Sequence, residues 1–171
     1  MSLPRIHIAP DKVLREVSNE VREDEFGEDL NSFLETMTSV MNENNGVGLA
    51  AIQIGVKKRI IVANIDNEPI AMINPEVLSV GGATSKVVEG CLSVPTVLEE
   101  IERPSSVVVK YMDKGGNFIE EEFKGLPSHI VQHEIDHLDG ITILNKISRL
   151  KRDIYRRKVN KLRKKLKRYL L

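Results

Sequence analysis

His133 and His137 stand four residues apart with Glu134 beside the first, inside a run from Leu126 to Leu138 whose apolar residues suit a helix. Residues at that spacing share a helical face, so two imidazoles can grip one cation while the carboxylate, one step round, handles the protons of a water. That is the chemistry of metal-dependent hydrolases. Ile130, Val131, Ile135 and Leu138 surround the pair and point to burial rather than a solvated surface, where ionisable rings need partners. With only 4 His in 171 residues, chance is a poor account of the pattern.

A catalytic site of this kind uses three protein ligands and leaves one position for water or substrate. Two residues compete for the third place. His129 completes a stripe with His133 and His137, but the outer rings would sit about 12 Å apart along the axis at ~1.5 Å rise per residue, which assigns His129 to the rim. Cys91, the single cysteine, lies in Glu89-Gly90-Cys91-Leu92-Ser93-Val94-Pro95. Gly90 removes bulk before the thiol and Pro95 ends backbone pairing after it, so the sulfur sits on a short segment that could face a helix. A lone cysteine is often an inert core residue, and a nucleophilic Cys-His pair is a further option. The nucleophile option leaves Glu134 and the second histidine without a task.

Three motifs carry a family resemblance. Gly46-Val47-Gly48-Leu49-Ala50-Ala51-Ile52-Gln53, Glu89 to Ser93, and Gln132 to Leu138 resemble, in order and spacing, the motifs of peptide deformylases. The likeness continues through Ile101-Glu102-Arg103-Pro104, Val107 to Asp113 and Gly125-Leu126, and covers nearly all of residues 4 to 148. It implies that Cys91, His133 and His137 hold one divalent metal ion, natively Fe2+ in bacterial members, with Zn2+, Ni2+ or Co2+ possible in preparations. A thiolate is softer than a third imidazole and suits ferrous iron as well as zinc. The implied reaction removes formate from N-formylmethionyl nascent peptides, with Glu134 as general base and then general acid. The Gln53 side-chain amide and the Leu92 backbone N–H would donate to the formyl oxygen as it gains charge. Val47, Gly48, Leu126 and Ile130 would line the substrate's methionine pocket. A zincin-like endopeptidase and a ribosome-binding protein with a vestigial site are the rival classes; Cys91 and Gln53 speak against the first, Glu134 against the second.

The chain departs from the family pattern at Thr96-Val97-Leu98-Glu99-Glu100, where most relatives carry Gly and then Arg or Tyr nearby. Pro127 and Ser128 stand where an apolar residue and Ala are usual, and Asn145 where an acidic residue is common. Every presumed ligand is intact, so these changes bear on peptide preference beyond methionine. Glu89 and Arg103 are expected to pair across neighbouring segments and steady the Cys91 strand, and Asp136 to cap, pair or orient a ligand.

Turn residues mark out the elements that must position these groups. A short helix is expected near Asp11 to Val17 and a longer one from about Gly27 to Asn44, ended by Gly46 and Gly48. Strands are expected at Arg59 to Ile65, Pro69 to Ile73, Val77 to Val80, Ser105 to Met112 and Asn117 to Phe123, with turns at Asp66-Asn67, Gly81-Gly82 and Lys114-Gly115-Gly116. The fold class is α+β, with antiparallel or mixed sheets packed around a central metal-binding helix and a long C-terminal helix. Residues 1 to 148 form the catalytic domain; 149 to 171 form a basic amphipathic helix packed on it or extending from it.

Hydrophobic residues at 41% and charged residues at 29% fit one water-soluble domain. No run of about 20 apolar residues exists to cross a membrane, and Met1 to Pro10 lacks the apolar core of a secretory signal. One cysteine excludes an internal disulfide framework, and a thiolate ligand favours a reducing cytoplasm, which the resemblance implies is bacterial. The net charge of zero hides an asymmetry: residues 1 to 145 hold 12 Lys+Arg and 24 Asp+Glu, and residues 146 to 171 hold 13 and 1. Ile147, Leu150, Ile154, Tyr155, Val159, Leu162, Leu166 and Tyr169 recur three or four apart, or adjacent, along the basic segment. Such a helix either docks on the acidic body or attaches to nucleic acid, and the resemblance implies docking on the ribosome near its exit tunnel.

Overall fold

The computed structural model describes residues 3 to 169, with side chains through Leu162, so Leu166 and Tyr169 of the apolar stripe lie outside the described side chains. Helix α1 (Glu28–Glu43) buries Leu30, Leu34, Met37, Val40 and Met41, a three-four spacing that turns one face inward. Glu28 and Asp29 occupy its first turn, where the helix dipole favours negative charge. The strands β1 (Gly48–Ala50), β2 (Ile60–Ile65), β3 (Glu68–Glu89), β4 (Glu99–Met112) and β5 (Phe118–Lys124) pair in sequence order, all antiparallel. The class is α+β, with the antiparallel strands gathered in one sheet.

Asp66 and Asn67 link β2 to β3 with φ of 51° and 68°, the left-handed pair that a tight hairpin needs. Gly81-Gly82 does not form the expected turn. It lies inside β3, next to a register shift between Gly81 and Thr84, and the two short strands expected before it, Pro69 to Ile73 and Val77 to Val80, belong to this one bulged strand. The N-terminal helix expected near Asp11 to Val17 is a 3₁₀ turn over Lys12–Arg15.

Helix α2 (Leu126–Leu138) starts where Gly125 takes φ 62° and Pro127 sits in the first turn. It stops at Gly140, whose φ of 72° is the left-handed conformation of a helix end; a Cβ there would meet the Arg15 carbonyl oxygen at 2.6 Å. Along α2 the residues Ser128 to Val131, His133 to Ile135, His137 and Leu138 are all buried, so the helix is covered on nearly every side. Val131, Ile135 and Leu138 join Ala50, Ile61, Met72 and Val109 of the sheet in one apolar cluster. A second cluster fills the space between α1 and the sheet.

Helices α3 (Ile143–Lys146) and α4 (Arg149–Tyr169) close the described chain. Asn145 closes a capping box with Thr142, accepting its backbone N–H at 3.0 Å, which gives the departure from an acidic residue a structural use. Tyr155 and Val159 of α4 pack with Ala9, Leu14, Val94, Ile143 and Leu144 in a third cluster. Among the described side chains Ile147 also packs against this cluster, whereas Leu150, Ile154 and Leu162 of the stripe stay exposed.

Candidate metal centre and active site

The segment after β3 and the inner face of α2 bring one sulfur and two imidazoles to a common point. The ligand atoms of Cys91, His133 and His137 all lie within 4.8 Å of one another. Cys91 Sγ is 3.2 Å from His137 Nε2. His133 donates Nδ1–H to Glu89 Oε2 at 2.9 Å, which leaves Nε2 free for a cation. One soft sulfur and two borderline nitrogens form a donor set that divalent iron or zinc accepts, so these residues fit a resident metal ion. His129, assigned to the rim from its spacing, is instead 2% exposed and turned toward β3.

The charges are arranged around that set. Burial alone would hold His133 below its ordinary value, yet the Cys91 sulfur and the Glu89 carboxylate outweigh it and raise the ring to about 10. Burial, with the charges of His133 and Arg103, holds His137 well below the ordinary histidine range. Arg103 on β4 grips Glu89 with two bonds, Nε to Oε1 at 2.6 Å and Nη2 to Oε2 at 3.0 Å. The expected Glu89–Arg103 pair therefore forms, and it also anchors His133. Arg103 Nη1 reaches Asp136 at 2.7 Å, and Lys146 reaches the same carboxylate at 3.1 Å.

Although burial pushes the Glu89 carboxyl up, its bonds to His133 and Arg103 dominate and bring it from 4.5 to about 2. A depressed acid stabilises the fold fully above its unfolded value and loses that contribution as pH falls from about 4.5 toward 2. In the metal-free protein the urea midpoint should fall across that interval. Glu89→Gln should cost about 3 kcal/mol at pH 7 by removing the charge that Arg103 grips with two bonds and leaving Asp136 as its remaining ion-pair partner, and should flatten the acid limb. Equal acid slopes in both proteins would contradict this assignment.

Glu134 sits beside the ligands on α2, 5% exposed. Its Oε2 is buried without a hydrogen-bond partner, and burial raises the carboxyl to about 7. Gly48 of β1 makes room for it, since a Cβ there would come within 2.8 Å of Glu134 Cγ and Cδ. Gln53 follows on a 3₁₀ turn at Ala51–Ile54. Its Oε1 accepts from the Ala50 backbone N–H at 2.7 Å, and its Nε2 points to Ser93 Oγ at 3.1 Å and Cys91 Sγ at 3.8 Å.

A cavity of about 460 Å³ opens onto these groups. Val47, Gly48, Gln53, Cys91, Leu92, His133 and Glu134 line it, and Leu98 adds an apolar lip 73% exposed. Leu126 and Ile130 are not among its lining residues: Leu126 is 58% exposed and Ile130 belongs to the core. Thr96 takes φ 70° at the rim, a left-handed conformation that is strained for a β-branched residue. Ser93, wholly buried against Gln53, reads in the sequence only as the end of the Glu89 to Ser93 motif, with no role of its own. The bond from His133 to Glu89 was also missed, because 44 residues separate the partners.

Known proteins resemble this chain in sequence and in fold. The Polypeptide deformylase family matches residues 3–153. A peptide deformylase from Thermotoga maritima is 40% identical over 164 residues, covering 96% of this chain and 99% of the relative. The crystal structure of a peptide deformylase from Legionella pneumophila superposes with a TM-score of 0.88 at 37% identity, over 98% of this chain and 99% of that one. A class I type b peptide deformylase from Acinetobacter baumannii, in a structure bound to Met-Ala-Ser, matches with a TM-score of 0.82 and 32% identity over 85% and 99%. A family match across most of the chain, joined to a sulfur and two imidazoles beside a buried carboxylate, leaves one assignment: the chain belongs to the polypeptide deformylase family of metal-dependent hydrolases.

Proposed function

We propose that this chain removes the N-formyl group from N-formylmethionine of newly synthesised polypeptides by means of Cys91, His133 and His137 as metal ligands and Glu134 as proton carrier. The supporting observation is the convergence of the three ligand atoms within 4.8 Å beside a buried, unpartnered Glu134 oxygen, at the wall of an open cavity. Ferrous iron is the native ion in this reading. When bound, the ion polarises the formyl carbonyl and acidifies a water. Glu134 takes a proton from the attacking water and returns it to the departing amine nitrogen. Gln53 Nε2 and the Leu92 backbone N–H donate to the formyl oxygen; the Ala50 bond to Gln53 Oε1 fixes which end of the amide faces the site.

Val47 and Gly48 form one wall for the methionine side chain, whereas Leu126 and Ile130, named for that pocket from the resemblance, lie outside the cavity's lining and take no part in this wall. The Acinetobacter baumannii relative bound to Met-Ala-Ser, a peptide that begins with methionine, supports a site of this size and polarity. Formate release from formyl-Met-Ala by the metal-loaded protein tests the reading: formate at a rate proportional to enzyme supports it, and its absence overturns it. Gln53→Ala should lower kcat about 10²- to 10³-fold with metal content unchanged, measured by the same assay beside metal analysis; retained turnover would remove Gln53 from the oxyanion role.

Residues 1 to 148 carry the chemistry in this proposal, and the basic helix from 149 is the ribosome-docking element, acting in the cytoplasm of a bacterium. Tyr155 and Val159 fix α4 to the body while Arg149, Lys151, Arg156, Arg157, Lys158 and Lys161 remain exposed, and among the described residues no helix is long and apolar enough to cross a membrane. Contacts with ribosomal RNA phosphates should weaken steeply with salt. Co-sedimentation with ribosomes at low salt should be lost on truncation after Arg149; undiminished co-sedimentation would remove this partner.

A further inference from the structure

We infer that His129 is a positioning residue for the metal centre: held by Ser85, its ring donates to Glu89 and keeps that carboxylate aimed at His133. The inference rests on the reading that Cys91, His133 and His137 hold the ion. His129 lies one turn before His133 on α2, 2% exposed, in a position where an apolar side chain would suffice for packing. Its two ring nitrogens are both engaged. Nε2 is 2.8 Å from the Ser85 hydroxyl on β3, and Nδ1 is 3.4 Å from Glu89 Oε1.

Glu89 can only accept, so His129 Nδ1 carries the hydrogen, and the Ser85 hydroxyl can give its own to Nε2. The carboxylate thus receives four donors: Arg103 Nε and His129 Nδ1 on Oε1, Arg103 Nη2 and His133 Nδ1 on Oε2. About four is what a carboxylate can take. Arg103 approaches from β4, and the two histidines approach from α2 on either oxygen. Removing His129 leaves Oε1 held by Arg103 alone and frees the carboxylate to swing from His133. His133 then loses the partner that fixes its Nδ1–H tautomer and points Nε2 into the ligand set. Ser85 closes the relay, since the Ser85 hydroxyl is the group that orients the His129 ring.

Cobalt(II) is the probe, because binding can be read by chelator competition and by the visible spectrum of a thiolate-ligated ion, independently of turnover. His129→Leu keeps most of the volume and removes the donor; His129→Asn keeps an N–H near the place of Nδ1. Losing an outer partner of a metal-ligating histidine typically costs about 10- to 100-fold in affinity or activity. His129→Leu should therefore bind Co2+ about tenfold more weakly with an altered spectrum, and its cobalt-saturated kcat should fall while KM for formyl-Met-Ala holds. His129→Asn should recover affinity to within about threefold of the natural chain. Natural affinity and spectrum in His129→Leu, or equal losses in both variants, would overturn the inference. Should His129→Leu fail to fold, Ser85→Ala decides: weaker Co2+ binding supports the relay, and unchanged binding overturns it. A natural chain that takes up no Co2+ overturns the ligand reading along with this one, whereas normal uptake with unaffected variants overturns His129 alone.

Discussion

Glu134→Gln should lower kcat for formyl-Met-Ala by about 10² to 10⁴ while the protein keeps its metal and its fold. Proton transfer by a positioned side chain contributes about that factor, and an amide of the same shape cannot perform it. The geometry explains why the loss should be confined to turnover. Glu134 ligates nothing in the Cys91, His133 and His137 set, and its Oε2 lies buried with no hydrogen-bond partner. Burial holds the carboxyl at about 7, where one group can both take and return a proton near neutrality. Leaving such an oxygen unsatisfied costs about 1 to 3 kcal/mol, so a neutral amide should leave the melting temperature unchanged or raised. Turnover, metal content and thermal unfolding on one preparation check this. Full activity in Glu134→Gln would remove the carboxylate from the proton pathway, and loss of metal would make it a ligand.

Cys91→Ser should abolish both tight metal binding and deformylation. Its hydroxyl does not ionise near neutrality, so the site keeps two imidazoles and loses the anionic, polarisable donor. The loss of affinity should exceed the 10- to 100-fold typical of removing an outer partner, because a direct ligand is gone. The experiment also separates the two roles open to the cysteine. A nucleophilic Cys91, paired with His137 Nε2 at 3.2 Å, would lose activity on substitution with metal content intact. A ligand would lose both together, and metal analysis beside the formate assay reads the difference.

Much of the site was legible because its markers are local. The four-residue spacing of His133 and His137 turns both onto one face of α2, and Gly125, Pro127 and Gly140 bracket that helix with the backbone each end requires. What escaped was tertiary. His129 reads as a rim residue because it lies too far along the axis from His137 to share an ion, but α2 is buried nearly all round, so spacing could not say which way the ring turns. Glu89 was legible as a partner for Arg103, yet its second task, orienting His133, depends on how α2 crosses the sheet. Gly81-Gly82 carried a strong turn signal that the sheet overrode. The freedom that lets glycine turn a chain also lets it absorb a bulge, and long-range pairing with Ser106 and Pro104 decided between the two. In α4 the apolar spacing foretold an amphipathic helix, but the short contact through Tyr155 and Val159 leaves Leu150, Ile154 and Leu162 of its described stripe exposed.

In the proposed site one sulfur and two ring nitrogens share a cation, and X-ray absorption at the metal edge of the loaded enzyme reads that ligand set. For zinc, one sulfur scatterer is expected at about 2.3 Å and two nitrogen scatterers at about 2.0 to 2.1 Å, the sulfur lost in Cys91→Ser. A first shell of nitrogen and oxygen alone in the natural chain would contradict it.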